Sequence, residues 1–340
     1  MTQLVDMPLA SPSAPAGRST RGAVLVLGLC CVFWGLSFPL LQIGTSAFNA
    51  ALAVPGDVRA ELAARGAFNG WRFGLAAVIY LVLTWPRQRG YTAADWRAGL
   101  WVGGFFGVGI FLQVVGLRYT IPSVSGFLTA LAVVFAPIAQ SLLFRRPVGG
   151  MTWLAVVIAT LGIALLAMPN PGSAAENGHA LVPPVSLLGE ILTLIGAVLF
   201  TGQILAVDQL GPKADLTRMT LIMFAAGAAV NIIFGLALGS APLYRPAAVA
   251  GLFGSGTFLW TMGLLVVVSG ILALHLMNGW QPVVAPATAT VIYCLEPVFA
   301  MLFSLAFRTE SLTLTTVAGG AMVLIAVLVV ARFVSSAGRS

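Results

Sequence analysis

The side chain with the clearest chemical potential is a carboxylate inside an apolar stretch. Glu296 lies about a dozen residues into the apolar run 284–306 and directly precedes Pro297. In a membrane helix, an ionisable group at that depth costs at least about 2.5 kcal/mol. Proline lacks a backbone N–H and so favours a local break there. Glu296 could bind a proton or an ammonium group, or it could hydrogen-bond a neighbouring helix in a structural role.

Three other ionisable side chains lie in or beside apolar segments. His275 is followed by the polar residues Asn278 and Gln281, and its imidazole could titrate, contact a solute or cap a helix. Arg72, near the predicted outer end of a helix, could attract a carboxylate or extend its long side chain to the membrane interface. Glu190 is near a predicted helix start, where the helix dipole stabilises a carboxylate, so we expect it to be structural.

Neutral polar and aromatic side chains recur three or four residues apart, a spacing that places both members on one helix face. Examples are Trp34 with Ser37, and Phe200 with Gln203, which suggest facing walls of one cavity. Hydroxyls, amides and rings can hold a small solute without a fixed charge. Any one of them could instead be an interfacial or packing residue. The predicted binding set is Trp34, Ser37, Tyr80, Trp101, Gln113, Ser125, Thr129, Gln203, Trp260, His275, Tyr293 and Glu296.

Metal and catalytic sites are not indicated by the sequence. Cys30 and Cys31 are adjacent and Cys294 is distant, so the cysteines have neither disulfide nor metal-ligand spacing. The two histidines, His179 and His275, are far apart. The sequence lacks a recognisable Ser-His-Asp set. We therefore predict no metal, no cofactor and no enzymatic activity.

The elements that position these residues follow from composition. The 340 residues are 59% hydrophobic and only 8% charged, with a mean hydropathy of +1.00. Soluble proteins are about 25% charged, so this chain is predicted to be an all-α polytopic membrane protein. Apolar runs and breakers predict ten transmembrane helices, with a nine-helix alternative because 272–281 is difficult to assign. The predicted helices are 23–45, 67–85, 97–117, 122–143, 150–168, 187–208, 216–239, 247–272, 284–306 and 312–333.

Charge in the predicted loops indicates orientation. With ten helices and a cytoplasmic N-terminus, 11 Lys and Arg residues fall inside and 5 outside, with Arg72 in a helix. Positive residues favour the cytoplasmic side, so both termini are predicted to be cytoplasmic. The basic groups are scattered through short loops, so the net charge of +7 is not interpreted as a nucleic-acid surface.

A proline-rich segment divides the predicted helices into two sets of five. Residues 169–186 contain four prolines, and similar patterns flank Pro137 in the first half and Pro297 in the second. An odd number of helices per repeat forces the halves into opposite orientations, which is the inverted-repeat architecture of many transporters. The predicted units are a disordered cytoplasmic tail 1–22, a first repeat 23–168, an extracytoplasmic linker 169–186, a second repeat 187–333 and a cytoplasmic tail 334–340.

Short motifs occur in a specific order along these helices. They are FWGLSFP at 33–39, NGWRF at 69–73, GLRYT at 116–120, LEPVF at 295–299, and Glu310. Together they resemble the drug/metabolite transporter superfamily, specifically its ten-helix EamA-type members. The segment 119–137 is most similar to bacterial amino-acid exporters of the YddG type. Two features depart from the family pattern: Arg145-Arg146 stands where a glutamate is common, and the loop 49–67 is long.

The resemblance implies a secondary transporter in the bacterial inner membrane, monomeric or weakly dimeric. We expect it to export neutral or aromatic amino acids or related metabolites by alternating access, with proton coupling as a possibility and with Pro39, Pro137 and Pro297 as hinges. Alternatives are a carrier of lipophilic cations or nucleotide sugars on the same fold, or a membrane receptor or enzyme. A nucleotide-sugar carrier is disfavoured because Arg72 alone among the basic residues falls near a cavity.

Overall fold

The computed structural model describes residues 18–116, 118–119, 125, 128–166, 187–306 and 313–337. Regular structure in these residues is helical throughout. Seven helices are long and apolar enough to cross a membrane, and three shorter apolar helices complete ten segments within the described ranges. This architecture confirms the prediction of an all-α polytopic protein with ten helices. The linker 169–186, His179 and Glu310 lie outside the described residues.

The ten segments are numbered here in chain order. They are α1 Thr20–Ala51, α2 Val58–Thr84, α3 Ala93–Gly116, α4 Leu128–Phe144, α5 Gly150–Leu166, α6 Leu187–Leu210, α7 Leu216–Leu238, α8 Gly256–Val283, α9 Pro286–Tyr293 with Leu295–Ala306, and α10 Leu314–Ala337. A short helix, Pro246–Phe253, precedes α8. Both predicted tails are partly helical, because α1 begins at Thr20 and α10 continues to Ala337.

The second helix begins earlier than predicted. Asp57 accepts a hydrogen bond from the backbone N–H of Ala60 (2.9 Å) and so caps a helix that starts at Val58. The predicted long loop 49–67 is therefore mostly helix. Its charged residues obscured the periodicity, although an Asp followed by helix-forming residues is an N-cap signal. As a result, Arg72 lies in the middle of α2 and not near its end.

The eighth helix also differs from the prediction of 247–272. It runs from Gly256 to Val283 and contains a π-helical stretch, Leu265–Leu272. The polar residues in 272–281, the segment that was difficult to assign, lower the local hydropathy but do not end the helix. Asn278, for example, donates through Nδ2 to Oγ1 of Thr220 on α7 (3.1 Å). Pairing with another helix makes its burial tolerable.

Helix packing repeats between the two halves. The most extensive interfaces include α2 with α7, α3 with α6 and with α7, α5 with α10, and α1 with α8 and α9. In two inverted five-helix repeats, α1 corresponds to α6 and α3 to α8, so the α3–α6 and α1–α8 interfaces are counterparts. Small residues permit these close approaches: a Cβ on Gly66 would lie 2.8 Å from Cα of Gly235, and one on Gly103 would lie 2.7 Å from the carbonyl oxygen of Met223.

Candidate functional site

Helices α1, α6, α8 and α9 meet at a chain of aromatic and amide contacts. The ring of Trp34 on α1 packs edge-on against Tyr293 on α9, with centroids 5.5 Å apart. The Tyr293 hydroxyl donates to Oε1 of Gln281 (3.1 Å), and the Gln281 amide donates to the carbonyl of Ile204 on α6 (2.7 Å). Gln281 is only 1% exposed. These residues, called the central cluster below, join the first repeat to the second.

Glu296 lies one turn beyond Tyr293 on the same helix. It is partly buried, and within the described residues it forms neither an ion pair nor a hydrogen bond through its carboxylate. The adjacent part of α1 is packed closely against α9. The Cys31 thiol lies 3.5 Å from the carbonyl oxygen of Ile292, and a Cβ on Gly35 would lie 2.6 Å from Cβ of Phe299.

A second polar group, called the α3–α4–α6 cluster, joins those three helices. The Gln113 amide donates to Oγ1 of Thr129 (2.9 Å), and the hydroxyls of Ser125 and Thr193 are 3.4 Å apart. Thr193 also donates to the carbonyl of Gly189 on its own helix (2.9 Å). The structure thus brings together three of the predicted binding residues, but each is partnered by protein.

Tyr80 and His275 form a third contact. The Tyr80 hydroxyl is 2.7 Å from Nδ1 of His275, which links α2 to α8. Tyr80 is buried and also packs edge-on against Phe224 of α7, with centroids 5.6 Å apart. The imidazole therefore has a partner inside the protein, an arrangement that sequence separation alone did not reveal.

The predicted pairs on α1 and α6 make different contacts. Ser37 donates to the carbonyl of Trp34 on its own helix (2.6 Å), while Phe200 packs beside Gly109 on α3. Gln203 is buried on α6. Trp101 is 52% exposed and Trp260 is 46% exposed, so neither joins the residues gathered above.

The three prolines proposed as hinges have different local structures. Pro39 lies inside the continuous helix α1, and Pro137 lies inside α4. Pro297 follows the interruption of α9 at Cys294, where Tyr293 ends one helical piece and Leu295 begins the next. A one-residue interruption of the regular helix, at Cys294, thus lies two residues before Glu296.

Charged residues at helix ends form pairs that the sequence did not indicate. Arg146, which follows α4, donates to Oδ2 of Asp208 on α6 (3.0 Å). Asp95 accepts from Arg218 Nε (2.8 Å) and from the backbone N–H of Asp215 (2.7 Å), which ties α3 to the start of α7. Among the described residues, no group of three or more His, Cys, Asp or Glu side chains could hold a metal ion.

Comparison with known proteins identifies the family. The model of the EamA-like transporter family matches this chain twice, over residues 21–168 and 187–332. The chain belongs to the EamA-like transporter family. It is therefore a membrane transporter whose two halves each carry one copy of the family domain, as the motif order predicted.

Individual relatives agree with this assignment. The chain is 27% identical over 308 residues to an "Uncharacterized transporter" of Archaeoglobus fulgidus, with 91% of this chain and 85% of the relative covered. It is 26% identical over 184 residues to "Uncharacterized transporter YetK" of Bacillus subtilis, with 53% of each covered. A solved structure titled "Crystal structure of protein" is similar in fold, with a TM-score of 0.66, 16% identity, and 95% and 100% of the two chains covered.

The end of α4 departs from the residue pattern that the family resemblance predicts. Where the EamA-type resemblance predicts a glutamate after the fourth helix, this transporter has Arg146, and its partner Asp208 lies on α6. The pair reverses the expected sign of charge at the end of α4 and supplies an acid from another helix. The ion pair therefore links α4 to α6 across the two repeats.

Proposed function

We propose that this EamA-family transporter exports neutral or aromatic amino acids, and related small metabolites, by alternating access. The observation that carries the proposal is the central cluster, in which Trp34, Tyr293 and Gln281 connect the repeats beside Glu296, whose carboxylate has no ion pair within the described ranges. A site between repeats changes its surroundings when one repeat moves relative to the other. This placement is what an alternating-access site requires.

The chemistry of the cluster suits an amino acid with an apolar side chain. The rings of Trp34 and Tyr293 can pack against an aromatic or aliphatic group. The Glu296 carboxylate can bind a substrate ammonium group or a proton, since both neutralise a buried negative charge. Of the remaining predicted set, Ser37, Gln203 and His275 lie on the same helices α1, α6 and α8, and we propose that they line the route around the cluster.

Movement is proposed to occur at the prolines. A break beside Pro297 would let the second piece of α9 tilt relative to the first, and Pro39 and Pro137 would allow α1 and α4 to bend. We further propose that the protein lies in the inner membrane with both termini in the cytoplasm, as the loop charges predict.

The proposal is tested by flux into proteoliposomes that contain the purified protein. Labelled phenylalanine, leucine, tetraphenylphosphonium and a nucleotide sugar are compared, each with and without a pH gradient. We expect saturable counterflow of phenylalanine and leucine well above that of the other two solutes. Protein-free liposomes provide the background.

The direction is tested in cells loaded with a phenylalanine-containing dipeptide. Cells that express the transporter should release phenylalanine into the medium faster than cells that express the Trp34→Ala variant. Saturable flux of tetraphenylphosphonium or nucleotide sugar without amino-acid flux would refute the proposed substrate class. Equal release from both cell types would refute export.

A further inference from the structure

Arg72 is a buried cation in the middle of a membrane helix. It is 5% exposed, and none of the three ion pairs among the described residues includes it. An arginine deep in a bilayer is expensive, and such residues normally face a partner or a pathway. Of the two alternatives that the sequence left open for Arg72, extension to the interface does not fit the structure, because α2 begins at Val58 and leaves Arg72 more than three turns from either end.

The guanidinium is held in a defined position. Its Nη2 donates to Oγ of Ser269 on α8 (3.1 Å), and the same hydroxyl donates to the carbonyl of Leu265 (3.0 Å). The Phe73 ring lies 5.0 Å from the guanidinium carbon. Because a guanidinium has five N–H donors, these contacts orient Arg72 without satisfying it. Its Nε–H has no hydrogen-bond partner among the described residues.

Asn69 is a second unsatisfied group on the same face of α2. It precedes Arg72 by three residues, so the two side chains are neighbours on the helix surface. Asn69 is 1% exposed, and neither its amide nitrogen nor its amide oxygen has a hydrogen-bond partner in the described part of the chain. A buried amide without hydrogen-bond partners destabilises the folded protein. Arg72 and Asn69 therefore offer adjacent unused donors.

The local backbone of α8 is unusual at this point. Ser269 lies within the π-helical stretch Leu265–Leu272. Such stretches are rare and frequently occur at functional sites, because the wider turn displaces side chains from the regular α-helical register. Here the stretch contains the hydroxyl that holds Arg72.

The Arg72 site lies at the level of Trp34 along α1. The Cys30 thiol on α1 contacts the carbonyl of Ala273, and a Cβ on Gly44 would lie 3.0 Å from Oγ1 of Thr261. Since α1 and α8 are antiparallel along these contacts, Trp34 lies at the level of Ser269. Ser269, which holds Arg72, is therefore level with one residue of the central cluster, and both α1 and α2 pack against α8.

An aromatic group lies one turn before Arg72 on α2, about 5.4 Å along the helix axis. The ring of Phe68 packs edge-on against Phe48 of α1 and Phe258 of α8, with centroids 5.7 and 6.4 Å away. These contacts join α2 to α1 and α8 next to the turn that carries Arg72.

We propose that Arg72, Asn69 and Ser269 form a binding site for the carboxylate group of the transported solute. The free N–H groups of Arg72 can bind a carboxylate by two parallel hydrogen bonds, and the Asn69 amide can donate a third. The inference rests on the proposed function, because it assumes that the bound carboxylate belongs to the solute that is transported past the central cluster. It limits the substrate class to zwitterions or monocarboxylates, in place of cations and amines.

Binding is tested first, because it does not depend on transport. Thermal unfolding of the purified protein is measured with benzoate, phenylalanine, phenethylamine or chloride, for wild type, Arg72→Gln, Asn69→Ala and Arg65→Gln. Arg65→Gln removes the same charge from the same helix and is the matched control. We expect benzoate and phenylalanine to raise the Tm of wild type and Arg65→Gln, and to leave that of Arg72→Gln unchanged.

Discrimination is tested second, in proteoliposomes. Competition by phenylalanine against labelled leucine should exceed that by phenethylamine at least tenfold in wild type and Arg65→Gln. The ratio should fall to near one in Arg72→Gln and decrease several-fold in Asn69→Ala. If Arg72→Gln does not fold, Asn69→Ala and Ser269→Ala decide the question through both readouts.

Two results would overturn the inference. One is that benzoate and phenylalanine leave the Tm of wild type unchanged. An equal rise of that Tm with chloride would count in the same way, since a structural anion site would bind chloride as well. The other is unchanged discrimination in the Arg72, Asn69 and Ser269 variants. A third outcome separates the two proposals: wild type transports no amino acid, yet benzoate raises its Tm in a way that depends on Arg72. That result would refute the amino-acid proposal and support the carboxylate site.

Discussion

The central cluster and the α3–α4–α6 cluster occupy corresponding parts of the two repeats, yet they use polar groups differently. In the α3–α4–α6 cluster, Gln113 pairs with Thr129 and Ser125 with Thr193. In the central cluster, Tyr293 and Gln281 are partnered while Glu296 beside them has no ion pair among the described residues. Groups that satisfy one another stabilise helix packing, whereas an unsatisfied charge can bind a solute.

The two repeats of this protein share helix positions without sharing side-chain chemistry. The position in the first repeat that matches Glu296 is Ala136, which is fully buried on α4. Both helices retain a proline at the next position, Pro137 or Pro297. The proline is therefore present in both repeats, whereas the carboxylate occurs in one repeat only.

The largest expected effect comes from removing that carboxylate. Glu296→Gln should lower the transport rate by about 10–100-fold, since a contact to a charged group contributes about 1.5–3 kcal/mol. It should also abolish any response of flux to a pH gradient. Proteoliposome flux at several pH values measures both. Glu190→Gln, in the first turn of α6, is the control. Full activity and an unchanged pH profile in Glu296→Gln would remove Glu296 from the mechanism.

An intermediate effect is expected from the aromatic residues of the two corresponding helices. Trp34→Ala should raise the KM for phenylalanine about tenfold, because an aromatic contact contributes about 0.5–1.5 kcal/mol beyond its buried area. Phe200→Ala on α6 should change it by about twofold or less, as its ring packs beside Gly109. Initial rates over a range of phenylalanine concentrations give both values. Equal KM changes in the two variants would contradict the assignment of Trp34, and not Phe200, to the binding site.

The smallest effect is expected from the hydroxyl pair of the α3–α4–α6 cluster. Thr193→Val keeps the shape and removes a hydrogen bond to Ser125 whose oxygen–oxygen distance is 3.4 Å. We expect a loss of stability of about 0.5–1.5 kcal/mol and transport within about twofold of wild type. Thermal unfolding and flux on one preparation give both numbers. A strong loss of transport at unchanged stability would assign this cluster to substrate binding.

Several features were predictable because they depend on local composition. Apolar runs of helix length require a membrane, and internal hydrogen bonding makes the helix the spanning structure for such runs. The motifs around Trp34, Arg72 and Glu296 indicated the family, and the family model confirms it. Helix boundaries were less predictable at α2, where charged residues belong to a capped helical turn, and at α8, where polar residues pair with other helices.

Site residues were harder to predict because their partners are distant in sequence. Tyr80 and His275 are separated by 195 positions and Arg72 and Ser269 by 197, and no sequence spacing indicates either contact. Trp101 and Trp260 have the same composition signal as Trp34, but they are about half exposed. Whether an aromatic ring is buried or exposed depends on how the helices pack, which the spacing of residues in the sequence does not show.

Hydropathy and motif order were enough to predict a ten-helix, two-repeat membrane transporter, since both are properties of consecutive residues. Three features depend on helix packing: Glu296 has no ion pair in the part of the chain that the structure describes, Arg72 is buried against Ser269, and Arg146 is neutralised by Asp208. The physical reason is that the cost of a charge in a membrane depends on what surrounds it, and the surroundings come from helices far apart in the chain.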